Sequence, residues 1–358
     1  MKITRLATDH RRIPLPGDER IPLTGPKPAA EAIDLIVVQV ETDDGATGLG
    51  FTYLNGPGAT AVRELISNQL WHLAIGEDPR DVDRLFAKVE SRFRSVGFGG
   101  LAARAWTAID VALWDLKANA VGLPLYKLLG NSKAAAPFFA SDIATLGRSS
   151  ADAVKLAKPL VKQGAMGVRV EVGSGDVRAD ADRVREISDG LGDDASVSVA
   201  ADGRFDLGTA EALTHFFEDI GVDWFEDPIP TADEIGYAKL ASLAEIPLAI
   251  GAGFDSRERF FRAIRTGVVR TVRPDLCRIG GITPLLKIAA VAEAFQTSVS
   301  PVRMPEIGVH LACGLAVVPH VDSVSWFADA FTGGPSIEGG KLVPSAEPGL
   351  GLKLAAAK

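Results

Sequence analysis

Apolar and polar positions near the start of the chain follow a strand pattern before they follow a helical one. Residues 33–40 (Ile-Asp-Leu-Ile-Val-Val-Gln-Val) form a β-rich run, closed by Thr42-Asp43-Asp44-Gly45 and followed by Gly48-Leu49-Gly50-Phe51. A run, a tight turn and a second run predict an antiparallel hairpin. The period then lengthens to that of helices at 58–74, 80–94 and 99–120. The last of these sets Ala102, Ala105, Trp106, Ile109, Ala112 and Leu113 on one face. Strands followed by segregated helices predict an α+β unit, taken here as residues 1–125.

After Pro124-Leu125-Tyr126-Lys127-Leu128-Leu129-Gly130 the pattern changes to short apolar runs that alternate with amphipathic segments. The runs lie near Phe138, Val170, Val199, Phe225, Ile250, Val272, Val299 and Val324. A parallel strand needs a crossover helix to return, and helical patterns at 151–163, 179–190, 208–219, 231–243, 256–266 and 283–296 supply them. Several end at a glycine (Gly164, Gly221, Gly267), as helix C-termini favour. The fold class is therefore α/β: a TIM-type (β/α)7β barrel over 126–330, preceded by an N-terminal α+β capping domain. The segment 331–358, rich in Gly, Pro and Ala, is expected to pack back on the cap. The stretches 14–30 and Gly97-Phe98-Gly99-Gly100 are expected to be cap loops over the barrel mouth.

Composition narrows the partners. With 47% hydrophobic and 23% charged residues in 358, the chain has the material for two folded units and is not disordered. Its net charge of -8 argues against a nucleic-acid partner, which calls for clustered cations. No run reaches the length of a membrane span and the first residues contain no apolar leader core, so a soluble cytoplasmic protein is expected. Cys277 and Cys313 sit in apolar settings and read as buried thiols rather than as a disulfide or a zinc site. A homo-oligomer is expected, since symmetric assemblies are common among soluble enzymes.

Active groups of such barrels sit at the carboxyl ends of the strands. The segments Ala108-Ile109-Asp110-Val111-Ala112-Leu113-Trp114-Asp115-Leu116-Lys117 with Gly122-Leu123-Pro124, Trp224-Phe225-Glu226-Asp227-Pro228, and Arg273-Pro274-Asp275 followed by Gly280-Gly281-Ile282-Thr283 resemble the mandelate racemase and muconate lactonizing enzyme group of the enolase superfamily. The resemblance spans nearly the whole chain. It implies an isomerase or lyase that removes the proton α to a carboxylate, with Mg²⁺ on three strand-end carboxylates stabilising the enediolate.

The chain departs from that pattern at most of its chemical positions. Where the family carries its first ligand in Asp-x-Asn-Gly, this chain reads Ala200-Ala201-Asp202-Gly203; Glu226 matches the second ligand; and Gly-Glu, the third, is Gly251-Ala252. The basic Lys-x-Lys becomes Arg169-Val170-Glu171, and a guanidinium is a poor proton acceptor. Of the Asp and His dyad, Asp275 remains and Val302 stands for the histidine. The residues that match these positions are Arg169, Glu171, Asp202 and Asp275 as catalytic candidates, and Glu226 with a displaced Asp202 as metal candidates. Arg169 and Glu171 share strand parity and point into the barrel, as an internal salt bridge or with Arg169 in the metal region paired to Glu226 or Asp202. Arg273 and Arg303 are a candidate clamp for a carboxylate or phosphate, against a reading as solvated loop arginines. His310 reads as structural, and nothing marks His215 or His320.

Three functions fit. One is metal-independent chemistry on a small carboxylate, with an arginine-rich pocket and Glu171, Asp202 or Asp275 as acid or base. Another is a conventional Mg²⁺-dependent racemase, cycloisomerase or acid-sugar dehydratase with displaced ligands. The third is a non-catalytic binding protein on the same fold. Mg²⁺ is the cofactor that the resemblance implies, and none is required by the metal-independent reading.

Overall fold

The structure is a computed structural model that describes residues 1–15 and 31–356. The hairpin is present with one strand before it. Strands β1 (Ile3–Pro14), β2 (Ala32–Thr42) and β3 (Thr47–Leu54) form an antiparallel sheet in that order, and β2 meets β3 with Val40 opposite Gly48. The helix Leu101–Ala120 lies across this sheet. Gly48 and Gly50 permit the approach, because the backbone of Ala108 and Ala112 occupies the space a Cβ would need. The pattern at 58–74 is one continuous helical stretch with a π-helical turn at Ile66–Leu70.

Two buried carboxylates on the long helix fix the cap to the rest of the chain. Asp110 accepts from the Thr283 amide (3.0 Å) on a barrel helix. Asp115 accepts from the amides of Leu49 (2.8 Å) and Leu350 (2.6 Å). Burial pushes Asp110 up to about 7 and Asp115 up to about 6, against the opposing pull of these hydrogen bonds.

Eight parallel strands follow: β4 (Phe138–Ala144), β5 (Gly167–Glu171), β6 (Ser196–Ala200), β7 (Phe225–Glu226), β8 (Leu248–Ile250), β9 (Thr271–Val272), β10 (Ser298–Val299) and β11 (Val321–Ser323). They pair in the order β10-β9-β8-β7-β6-β5-β4-β11, and a helical crossover returns each strand to the next, giving the (β/α)7β barrel. Side chains start the crossovers: Ser149, Asp176, Asp206 and Asp233 each accept from a backbone amide at a helix N-terminus. The cap at Asp233 begins its helix at Glu234, so residues 231–233, expected to be helical, form a loop at the barrel mouth instead.

The C-terminal segment touches both units. Phe331 packs on Phe51 of β3 (ring centroids 4.8 Å apart), while Leu342 pairs with Ala136 just before β4. Of the two proposed cap loops, most of 14–30 lies outside the described residues. In the other, Phe98 stacks edge-on against Phe86 and Gly99 lies beside the Asp255 carboxylate of the barrel.

Candidate active site at the barrel mouth

A cavity of about 620 Å³ opens where the barrel strands end under the cap. Its ionisable lining is Arg104, Arg169, Arg204, Arg278 and Arg303 against Asp142, Glu171, Asp202, Asp227 and Asp322.

The deepest part is a lattice of ion pairs. Side chains alternate across a strand, so Arg169 and Glu171 of β5 point the same way, and Glu226 of β7 faces them across β6. Arg169 grips Glu226 with two parallel hydrogen bonds, Nε to Oε2 (3.1 Å) and Nη2 to Oε1 (3.2 Å). It also reaches Glu171 at 3.4 Å and Asp202 at 3.8 Å. Arg273 donates to the same Glu226 oxygen (3.1 Å), to Ser300 Oγ (2.6 Å) and to Asp322 (3.1 Å). Ser300 Oγ in turn hydrogen-bonds His320 (2.9 Å), whose ring stacks on Trp224.

Such a lattice survives burial only because every charge has a partner. Burial by itself would lower Arg169, but the charges of Glu226, Glu171 and Asp202 outweigh it and hold the guanidinium firmly protonated. Burial would raise Glu226, and Arg169 and Arg273 reverse that, keeping it ionised; Asp322 is held below its usual range by Arg273 and Arg169 in the same way. Asp227 is the exception. Burial and the adjacent Glu226 charge push it up to about 7, while it accepts from the Gly251 amide (3.0 Å). Burial lowers His320 and His310 to about 4, so both are neutral, and His310 is tied to the Leu350 carbonyl (3.2 Å) away from the cavity.

A second cluster lies where cap meets barrel. Asp275, fully buried, accepts from Tyr53 Oη on β3 (3.0 Å) and from the Cys277 amide (2.9 Å). Arg303 and Arg278 stand 3.6 and 3.8 Å from its Oδ2. Arg104 reaches in from the cap helix, donating to the Tyr53 carbonyl (2.7 Å) with its guanidinium over the Tyr53 ring. Arg303 holds a left-handed backbone (φ 62°), and its amide donates to Asp322 (3.0 Å).

The structure thus brings Arg169, Glu171, Asp202 and Glu226 together at the strand ends. It separates the expected clamp. Arg303 faces the cavity, but Arg273 is only 1% exposed, with its donors committed to Glu226, Ser300 and Asp322, so it serves the lattice and not a ligand. Asp275 is likewise fully buried and does not line the cavity. Sequence reasoning missed Arg104, Arg278, Tyr53, Ser300 and His320. The three-residue spacing of Asp275 and Arg278 was a usable signal; the others meet the site only through the fold.

The chain's position among known proteins agrees with this architecture. Residues 18–130 match the mandelate racemase / muconate lactonizing enzyme N-terminal domain, and residues 152–358 the enolase C-terminal domain-like family. It is 29% identical to an L-talarate/galactarate dehydratase of Salmonella typhimurium over 93% of this chain and 83% of the relative. It is 32% identical to a 3,6-anhydro-alpha-L-galactonate cycloisomerase of Streptomyces coelicolor over 89% and 86%. An L-talarate dehydratase from Polaromonas sp. JS666, solved with Mg and L-glucarate, superposes with a TM-score of 0.90 at 31% identity, covering 99% of this chain and 95% of that one. A racemase from Streptomyces coelicolor with bound magnesium gives 0.92 at 29%, over 98% and 97%. Two matched family models and the (β/α)7β barrel under its cap establish that the chain belongs to the mandelate racemase and muconate lactonizing enzyme group of the enolase superfamily.

Proposed function

We propose that this protein acts on a small polyhydroxy carboxylate by removing the proton α to its acid group, with a guanidinium where the relatives' sites hold magnesium. The carrying observation is the two-pronged Arg169 to Glu226 pair at the strand ends. The donor set supports it. Ala200 and Ala252 offer no ligand atom at the two positions where the family carries carboxylates, and both oxygens of Glu226 already accept from arginine. Among the described residues no group of three His, Cys, Asp or Glu side chains is arranged to hold a metal ion. Hard divalent cations require several oxygen donors, so these residues do not fit one.

In this reading Arg169 is a fixed positive charge beside the developing enediolate, a preorganised substitute that needs no reorganisation during the reaction. The C–H bond breaks, its electron pair moves into the substrate carboxylate, and the proton passes to a carboxylate of the protein. Glu171 is that base. It lines the cavity and accepts only long contacts, 3.4 Å each, from Arg169 and the Leu146 amide, whereas Asp202 is paired with Arg204 at 3.1 Å and drawn below the usual carboxylate range, the pull of Arg169, Arg303 and Arg204 overcoming burial. A carboxylate with a lowered pKa is the weaker base.

The second reading is a conventional Mg²⁺-dependent dehydratase or cycloisomerase, favoured by the relatives' names and by the magnesium in two related structures. Calorimetric titration with MgCl₂ separates the two. The proposal expects no saturable heat at millimolar metal, together with α-deuterium incorporation into sugar acids in D₂O that withstands EDTA and is lost in Glu171→Gln. Saturable Mg²⁺ binding, or exchange abolished by EDTA, would overturn it in favour of the second reading.

A further inference from the structure

We infer that the ligand of this cavity is a single-headed acid, with its one carboxylate held by Arg104, Arg278 and Arg303 and its hydroxyls turned to the carboxylates opposite. This rests on the sugar-acid reading and adds an orientation and a selectivity to it. Arg303 and Arg278 flank one carboxylate, Asp275, which already accepts from Tyr53 and the Cys277 amide, and Arg104 lies over the ring of the same Tyr53. Arg303 and Arg278 meet it only at 3.6 and 3.8 Å, beyond hydrogen-bonding range, and the Nε of Arg278 is buried with no hydrogen-bond partner. A buried donor left without an acceptor is costly, so the cluster lacks acceptor atoms that a ligand carboxylate would supply.

The other half of the cavity has the opposite character. Asp142 and Glu171 face it, Asp202 adds a carboxylate that also feels Arg303 and Arg278, and Arg204 is spent on Asp202 (3.1 Å) and the Val172 carbonyl (3.1 Å). Arg169, in the floor, is spent on Glu226. Ionised carboxylates only accept hydrogen bonds, so this half welcomes hydroxyl groups and repels a second acid group. An aldonate fits such a pocket and an aldarate, with a carboxylate at each end, does not.

The test is calorimetric titration of the full chain with D-galactonate, galactarate and sodium sulfate, in the wild type, Arg278→Gln, Arg303→Asn and Arg262→Ala. Asparagine tolerates the left-handed backbone at 303, and Arg262 lies outside this cavity, so its variant controls for charge alone. Near-ultraviolet circular dichroism confirms that each variant is folded. The expected result is galactonate bound at least about tenfold more tightly than galactarate. A further loss of about tenfold is expected in each of the two cavity variants and none in Arg262→Ala, as for one charge-assisted hydrogen bond. Galactarate binding as well as galactonate would overturn the single-headed preference, and galactonate binding unchanged in both cavity variants would overturn the orientation. If sulfate binds through Arg278 and Arg303 but no sugar acid does, the sugar-acid reading fails and takes the selectivity with it.

Discussion

The two halves of this barrel mouth use the same residue types to opposite ends. In the lattice around Glu226 each guanidinium is matched to acceptors, and Arg273 and Glu226 are sealed from water. At the cap junction Arg303 and Arg278 stand 3.6 and 3.8 Å from Asp275, both out of hydrogen-bonding range, and Arg278 is 42% exposed. In a saturated network the hydrogen-bond donors are spent within the protein, so it can act on a ligand only through its charge. An unsaturated one is a binding surface, because the missing acceptors must come from outside.

The largest expected effect probes the saturated half. Arg273→Ala removes a buried guanidinium from both Glu226 and Asp322, leaving Glu226 to Arg169 alone and Asp322 to the Arg303 amide and Ser141, and should cost about 3–5 kcal/mol in urea unfolding. Arg278→Ala at the junction should cost less than about 1 kcal/mol. Equal losses at both positions would dissolve the distinction.

Asp227 sharpens the comparison through pH. Its folded pKa, about 7, lies above the ordinary 3.8 because burial and Glu226 penalise the anion. The fold therefore favours its protonated form, and this contribution is complete below about pH 4 and lost as pH rises through 7. Asp227→Asn keeps an acceptor for the Gly251 amide and removes the penalty. Its unfolding midpoint should exceed that of the wild type by the equivalent of a few kcal/mol at pH 8.5 and match it near pH 4. A constant difference across that range would assign the effect to packing instead.

Arg169→Lys retains the charge but loses the fork on Glu226, and a loss of about 1–2 kcal/mol in thermal or urea unfolding is expected. The smallest effect belongs to Asp202→Asn. Asp202 is 34% exposed and its pair with Arg204 is screened by water, so the change in stability should stay within about 1 kcal/mol. A larger loss would move Asp202 into the saturated lattice.

Much of this was legible beforehand. The apolar runs near Phe138, Val170 and Val199 and the helices between them marked the barrel, because a parallel strand can return only through a crossover. Strand parity placed Arg169 and Glu171 on one inward face, and the sequence has alanine at 200 and 252, two positions where the resemblance led carboxylates to be expected. The pairing of Arg169 with Glu226 was one of the arrangements considered for it. Arg273, expected at the mouth as half of a clamp, lies buried on Glu226, Ser300 and Asp322, because the end of a strand indicates nearness to the mouth, not depth below it.

Sequence alone determined the architecture and the inventory of charges at the strand ends, since periodicity and alternation are local properties that the chain carries residue by residue. Only the tertiary structure decided how those charges are shared. Glu226 is saturated by arginines from two other strands, β5 and the end of β9, while Asp275 is left among arginines from cap and barrel together. Whether a guanidinium is spent or available depends on acceptors brought within about 3 Å by segments far apart in the chain, and no local pattern encodes that distance.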